Sequence, residues 1–212
     1  MSKRAFCNQC NKALSACICQ WIEAIDNTYF LTILQDPSEQ NNAIGTARIL
    51  DLSLARAKVI VGERFDSNDF DLNNTFLVFP DDQSESIEGL HKKQKINKDT
   101  QFILLDGSWK KAYKLLMTNP FLQTLPKLTI NAVDKSAYRI RKSPREDGLS
   151  TVEAGYYLLS ELENNKDKFT PLLKVFNHMI DFQISNIPTE VYNQNYKKFP
   201  GPDTALIDKE KS

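Results

Sequence analysis

The chain reads as an α/β protein built on a mostly parallel sheet with helices on both faces. Three observations say so. Short, nearly continuous apolar runs, "AKVIVG" (57–62), "TFLVFP" (75–80) and "QFILL" (101–105), suit strands buried on both sides. Stretches with helical apolar spacing alternate with these runs, the signature of a parallel sheet. Finally, 212 residues, 41% of them apolar, are enough for one good-sized domain with a small appendage.

The elements follow in order. After the cysteine-rich start and the short "WIEAIDN", "TYFLTILQ" (28–35) is a strand ended by "DPSEQNN". "IGTARILDLSLA" is a helix with Ile44, Ala47, Leu50 and Leu54 near one face. Strands at 57–62 and 75–80 lead to an acidic loop and the lysine-rich "IEGLHKKQKINKD". The strand 101–105 runs into a helix over about 108–118, whose expected stripe is Trp109, Ala112, Tyr113 and Leu116. "PKLTINAV" is another strand, and the basic, loop-like "DKSAYRIRKSPREDG" precedes a helix at "STVEAGYYLLSELENN". The last helix, "FTPLLKVFNHMIDFQI", gathers Phe169, Leu172, Leu173, Phe176 and Ile180 on one face. A polar tail from about Asn193, with Pro200 and Pro202, is expected to fray.

Formal net charge is zero, yet the charge is unevenly spread. Residues 63–90 carry eight acids against Arg64 alone, whereas residues 106–145 carry nine Lys or Arg against Asp106 and Asp134. Such a basic excess can bind a polyanion, or it can be a solvated surface. No apolar run approaches the eighteen or so residues of a membrane span, and "MSKRAFCNQC" has no apolar segment behind it, so the expected compartment is the cytoplasm.

All four cysteines, Cys7, Cys10, Cys17 and Cys19, fall at the start of the chain, spaced by two, six and one residues. In a reducing compartment this spacing suggests a closed, structural Cys₄ zinc site. Disulfides or free thiols are the alternatives.

In a parallel sheet, chemistry gathers at the carboxyl ends of the strands. There stand "QDPSE", "FPDD" and "DGSW", and the loop before "STVEA" can reach the same edge. Asp106, followed by Gly107, either supports a turn that Ser108 completes as a helix cap, or handles a proton or cation beside Trp109. Ser150 and Glu153 have capping-box spacing, and the helix N-terminus they make can also receive polar ligand groups. "YRIRKSPR" offers Tyr138, Arg139, Arg141, Lys142 and Arg145 for phosphate contact and base stacking, unless it is simply a solvated basic loop. His91 and His178 have no evident role. GxGxxG, P-loop, HExxH and GxSxG motifs are all missing, so nucleotide hydrolysis and serine-hydrolase chemistry lack support.

Four segments in order, "FCNQCNKALSACIC", "QDPSEQNNAIGTARIL", "FLVFPDD" and "LLDGSWKKAYKL", followed by "YRIRKSPREDGLSTVEA", resemble the DTW-domain family of tRNA-uridine aminocarboxypropyltransferases. The D-x-x-W core is Asp106 and Trp109. Two departures stand out: Asp36-Pro37-Ser38-Glu39 replaces the family's usual His-Pro-x-Glu, and Gly45 replaces an Asn before the Thr. The resemblance implies a SPOUT-like fold whose C-terminal trefoil knot holds S-adenosylmethionine. It also implies transfer of that donor's 3-amino-3-carboxypropyl group to N3 of a tRNA uridine, the variable-loop U47. Asp106 would be the catalytic base or orienting group, and Phe79, Pro80, Asp106, Gly107, Trp109, Leu149, Ser150 and Thr151 would bind the donor. Arg139, Arg141, Lys142 and Arg145 would contact tRNA, and the four cysteines would hold structural zinc. The expected division is a zinc-binding segment 1–25, a catalytic domain 26–192 and a tail 193–212, as a monomer that stays off membranes. An RNA methyltransferase of the same fold, a ribosomal-RNA acceptor and a non-catalytic zinc-stabilised RNA-binding module are the competing readings.

Overall fold

The computed structural model describes residues 5–130 and 149–187. Within these residues six strands form one sheet: β1 (Phe30–Gln35), β2 (Ala57–Val61), β3 (Thr75–Val78), β4 (Glu85–Ser86), β5 (Gln101–Asp106) and β6 (Lys127–Thr129). Their order is β2-β1-β5-β3-β6-β4, and every pairing is parallel. The alternating reading of the sequence therefore holds. The strands are shorter than the apolar runs suggested, since β1 starts at Phe30 and β6 ends at Thr129.

Among the described residues, six α-helices accompany them: α1 (Ala47–Ser53), α2 (Ile87–Lys92), α3 (Trp109–Thr118), α4 (Pro120–Thr124), α5 (Thr151–Leu162) and α6 (Lys166–Ser185). The pleat sends alternate side chains to opposite faces. Leu31, Ile33, Phe76, Phe102, Leu104 and Leu128 join a core shared with α1, α2, α5 and α6. Leu34, Leu77 and Ile103 face the other way, onto Leu116 of α3 and Leu122 of α4. Gly155 lets α5 lie against α1, because a Cβ there would come within 2.6 Å of Leu50 Cδ2. Cys10, Ile18 and Ile25 belong to the first core, so the cysteine segment packs onto the sheet domain.

Two local expectations are corrected. The acidic loop ends in β4 and the lysine-rich stretch after it opens with α2, where Ser86 caps the helix by accepting from Gly89 N at 3.2 Å. The buried stripe of α3 is Ala112, Leu115 and Leu116, while Tyr113 is 56% exposed. Both stripes obey a helical period. Packing against β5 and α4 selects the one that buries aliphatic side chains, and Trp109 turns instead toward Phe79.

The topology places the site. From β1 the chain crosses through α1, on one face, to β2 on one side; from its neighbour β5 it crosses through α3, on the other face, toward β6 on the opposite side. Two adjacent strands whose connections leave in opposite directions open a crevice at their carboxyl ends. Those ends are Gln35 and Asp106, which pair directly in the register.

Candidate active site and cysteine centre

Asp106 is the last residue of β5 and is 6% exposed. The neighbouring strand end is tied to it twice: Asp36 N donates to the Asp106 carbonyl at 3.2 Å, and Gln35 Nε2 donates to Asp106 Oδ2 at 2.7 Å. Thr151 Oγ1 donates to Oδ1. Each carboxylate oxygen is thus oriented by a donor from a neighbouring element. Gly107 makes the corner possible, since a Cβ there would lie 2.8 Å from Lys111 Cβ.

Thr151 is delivered by a complete capping box. Ser150 N and Ser150 Oγ donate to Glu153 Oε2 at 2.8 and 2.6 Å, and Glu153 N donates back to Ser150 Oγ at 3.4 Å. Val152 N donates to Thr46 Oγ1 at 3.3 Å, fastening this helix start to that of α1. The capping box was legible in the sequence; its link to Thr46 was not. Ser108 stands at the N-cap of α3, but its side chain makes no capping bond, contrary to expectation.

These residues line a cleft of about 210 Å³, with Asp106, Gly107, Ser108, Ser150 and Thr151 on one side. Glu39, Asn42 and Thr46 line it from the loop after β1. Of the expected donor-binding residues, Asp106, Gly107, Ser150 and Thr151 reach this cleft. Phe79 and Trp109 meet edge to face nearby, with ring centroids 5.7 Å apart. Pro80 is exposed and Leu149 half-buried, and neither lines the cleft. Arg139, Arg141, Lys142 and Arg145 lie outside the described residues.

Asp36, standing where the family has His, caps the turn Pro37–Glu39 by accepting from Ser38 N at 3.0 Å and from the Ser38 hydroxyl. The hydroxyl bond first, and then Lys111 and Lys114, hold its carboxyl below the usual range. Lys111 Nζ lies 2.6 Å from Glu39 Oε1, which ties α3 to the same loop and raises the lysine's pKa. The three lysines that follow Trp109 therefore have differing duties: Lys111 ties α3 to the loop after β1, Lys114 pairs with Glu63 at 2.8 Å, and Lys110 is exposed.

The four cysteine sulfurs lie within 4.8 Å of one another, with Cys7 and Cys19 at 3.6 Å and Cys10 and Cys17 at 3.8 Å. A tetrahedron with metal–sulfur bonds of about 2.3 Å has edges of roughly 3.8 Å, so the donor set and spacing fit zinc. Backbone N–H groups of Cys10 and Gln9 pull the Cys7 thiol down to about 6, whereas burial pushes Cys19 up. The module also reaches the cleft. Lys12, 5% exposed, donates from Nζ to the carbonyls of Ala43 and Gly45 at 2.8 and 3.1 Å, and burial lowers its pKa to about 8. The sequence placed Gln35 and Glu39 in a loop at the strand ends without giving either a partner, and it singled out neither Lys12 nor Thr46, because each acts across a long separation in the chain. His178, without an evident role in the sequence, stacks on Trp21 at 4.7 Å.

Residues 4–184 match the family model of the DTW domain. The chain belongs to the DTW-domain family. Among curated relatives, a Drosophila melanogaster protein named tRNA-uridine aminocarboxypropyltransferase 2 is 27% identical, over 95% of this chain and 85% of its own. Macaca fascicularis and Mus musculus proteins of the same name are 26% and 25% identical, over 87% of this chain and 65% of theirs. This DTW-domain chain thus spans about two thirds of the length of the two mammalian relatives. No solved structure matches it. The family's D-x-x-W core falls where this structure has its strand-end carboxylate and the indole beside Phe79.

Proposed function

We propose that this DTW-domain protein transfers the 3-amino-3-carboxypropyl group of S-adenosylmethionine to N3 of a tRNA uridine, the variable-loop U47, releasing 5′-methylthioadenosine. The observation that carries the reading is Asp106: a carboxylate at the switch point of the sheet, oriented by Gln35 and Thr151, and lining a cleft. The names of the relatives supply the reaction class.

Uridine N3 carries an imide proton and is a poor nucleophile until that proton leaves. In this reading Asp106 accepts it, N3 forms a bond to the donor's γ-carbon, and the carbon–sulfur bond breaks with its electron pair moving to sulfur. The cationic sulfonium becomes a neutral thioether. All three carbons on sulfur are activated, so the choice of carbon is one of presentation, and orientation can contribute several kcal/mol. The Thr151 backbone N–H at the start of α5 is offered to the donor, and Trp109 and Phe79 offer an aromatic wall. Arg139, Arg141, Lys142 and Arg145 take tRNA phosphates, and zinc on the four cysteines stiffens the module that holds the loop after β1. The family resemblance adds a SPOUT-like fold with a C-terminal trefoil knot, consistent with six parallel strands and a cleft at their carboxyl ends. No helix among the described residues is long and apolar enough to cross a membrane, and we place the reaction in the cytoplasm.

The test uses bulk tRNA with donor labelled separately in the carboxyl and methyl carbons. Carboxyl label in tRNA together with methylthioadenosine supports the reading, and its loss when U47 is replaced by cytidine fixes the position. Methyl label with S-adenosylhomocysteine would overturn it in favour of methyl transfer.

A further inference from the structure

The cleft that Asp106 lines is also lined by a second carboxylate, Glu39, from the loop after β1. Its side chain is 13% exposed and its position is fixed at both ends. Asp36 caps the turn that carries it, accepting from Ser38 N at 3.0 Å, and Asn42 N donates to the Glu39 carbonyl at 3.0 Å. At the side chain, Lys111 Nζ donates to Oε1 at 2.6 Å and the Asn42 amide donates to Oε2 at 2.7 Å. Asn42 is itself exposed and part of the cleft wall.

Among the described residues that line the cleft, Glu39 and Asp106 are the charged ones, and both are acids. Lys111 stands beside the lining rather than in it, and its pKa is raised first by the bond to Glu39, then by the charges of Glu39, Asp36 and Asp106. At about 210 Å³ the cleft is smaller than the roughly 300 Å³ at which sites for whole drug-sized ligands begin, so it suits one arm of a ligand.

We infer that Glu39 receives the α-ammonium of the donor's aminocarboxypropyl arm. This assignment rests on the transfer reading for the identity of the donor. In that arm three bonds separate the ammonium nitrogen from the γ-carbon that N3 attacks. With the N3 proton on its way to Asp106, the ammonium is therefore close to Asp106 as well. An ammonium paired there would compete for the oxygens that accept the proton and would depress the carboxyl's pKa. Glu39 gives the cation a carboxylate of its own, with the exposed, neutral Asn42 amide yielding Oε2 to it, and leaves Asp106 for the proton. The same contact anchors the far end of the arm, so that the γ-carbon rather than the methyl is presented to the base.

Calorimetry on the unaltered protein and on Glu39→Gln tests this with three ligands: S-adenosylmethionine, its 2-oxo analogue, which has a carbonyl in place of the ammonium, and 5′-methylthioadenosine, which lacks the arm. Glu39→Gln should cut the preference for S-adenosylmethionine over the 2-oxo analogue by about tenfold, the scale of one charge-assisted hydrogen bond. Unchanged affinity for methylthioadenosine shows that the pocket is intact. Equal loss for all three ligands would reduce Glu39 to a support of the loop, and an unchanged preference would place the ammonium elsewhere; either overturns the assignment. Asp106→Asn, measured alongside, should keep the preference. A preference lost there and kept in Glu39→Gln would hand the ammonium to Asp106 and sink the inference. Binding needs no turnover, so the two readings fail separately: methyl label in tRNA overturns the transfer reading, while a preference lost in Glu39→Gln still sets the ammonium on Glu39.

Discussion

Gln35 and Asp106 end two adjacent parallel strands in register, and the Gln35 amide donates to the Asp106 carboxylate at 2.7 Å. One residue thus fixes the rotamer of the other across 71 positions of sequence. Gln35→Leu removes the donor at similar volume. Transfer should slow by about tenfold, in line with one charge-assisted bond, with donor binding retained. Gln35→Glu is more telling. Two carboxylates in contact raise the pKa of one of them, so the acid limb of the pH–rate profile should move to higher pH. An unmoved limb would show that Asp106 does not titrate in the rate.

Asp106→Ala should cost about 10²-fold or more in transfer, the scale of a general base, with tRNA binding intact by filter retention. Thr151→Val keeps shape and loses only the hydroxyl that donates to Oδ1. It should lower kcat more than it changes KM. Near-normal turnover in Asp106→Ala would reduce the residue to a turn support.

The cysteine module should contain one zinc per chain by mass spectrometry under native conditions. Stripping the metal should lower Tm and also loosen the 43–45 segment, which Lys12 holds through two carbonyls. Hydrogen exchange reads that segment directly. Lys12→Met should reproduce the loosening with zinc still bound, because the ligands are untouched.

Asp36 is held below the ordinary carboxylate value, chiefly by the Ser38 hydroxyl, and Asp81 is lowered by Lys127. A carboxyl with a lowered folded-state pKa adds stability above its unfolded value, and loses it as pH falls through the folded one. The contribution is therefore constant near neutrality and declines below about pH 4. Asp36→Asn should flatten that acid limb of Tm against pH and leave the neutral region parallel to the parent curve.

Gly155→Ala places a methyl 2.6 Å from Leu50 Cδ2, at a residue with no exposed surface. Overpacking of this kind costs about 1–3 kcal/mol. The expected result is a Tm lower by a few degrees, with α1 displaced and the Thr46–Val152 link weakened.

Much of the site could be read from residues close in sequence. The runs at 75–80 and 101–105 announced strands buried on both faces, as the two cores confirm, whereas the run at 57–62 forms the edge strand β2, which is only partly buried and leaves Val61 exposed. Ser150 and Glu153 announced their capping box, because a cap needs only a spacing of three. The cysteines announced their cluster, because ligand spacing within nineteen residues limits how they can meet. Tyr113 shows where such reading stops. A helical period permits overlapping stripes, and only the position of α4 and β5 decided that Leu115 would be buried and Tyr113 left in solvent.

The sequence by itself determined the alternation of strands and helices, the capped helix at Thr151 and the candidate metal ligands, since each depends on neighbours along the chain. Tertiary structure alone decided the strand order that sets β1 beside β5, and with it the meeting of Gln35, Asp106 and Thr151. It also decided that Lys12 would reach the loop after β1. The physical reason is that hydrogen bonds between distant residues leave no periodic mark: any strand end could have offered the glutamine, and only the sheet's order made this one face the carboxylate.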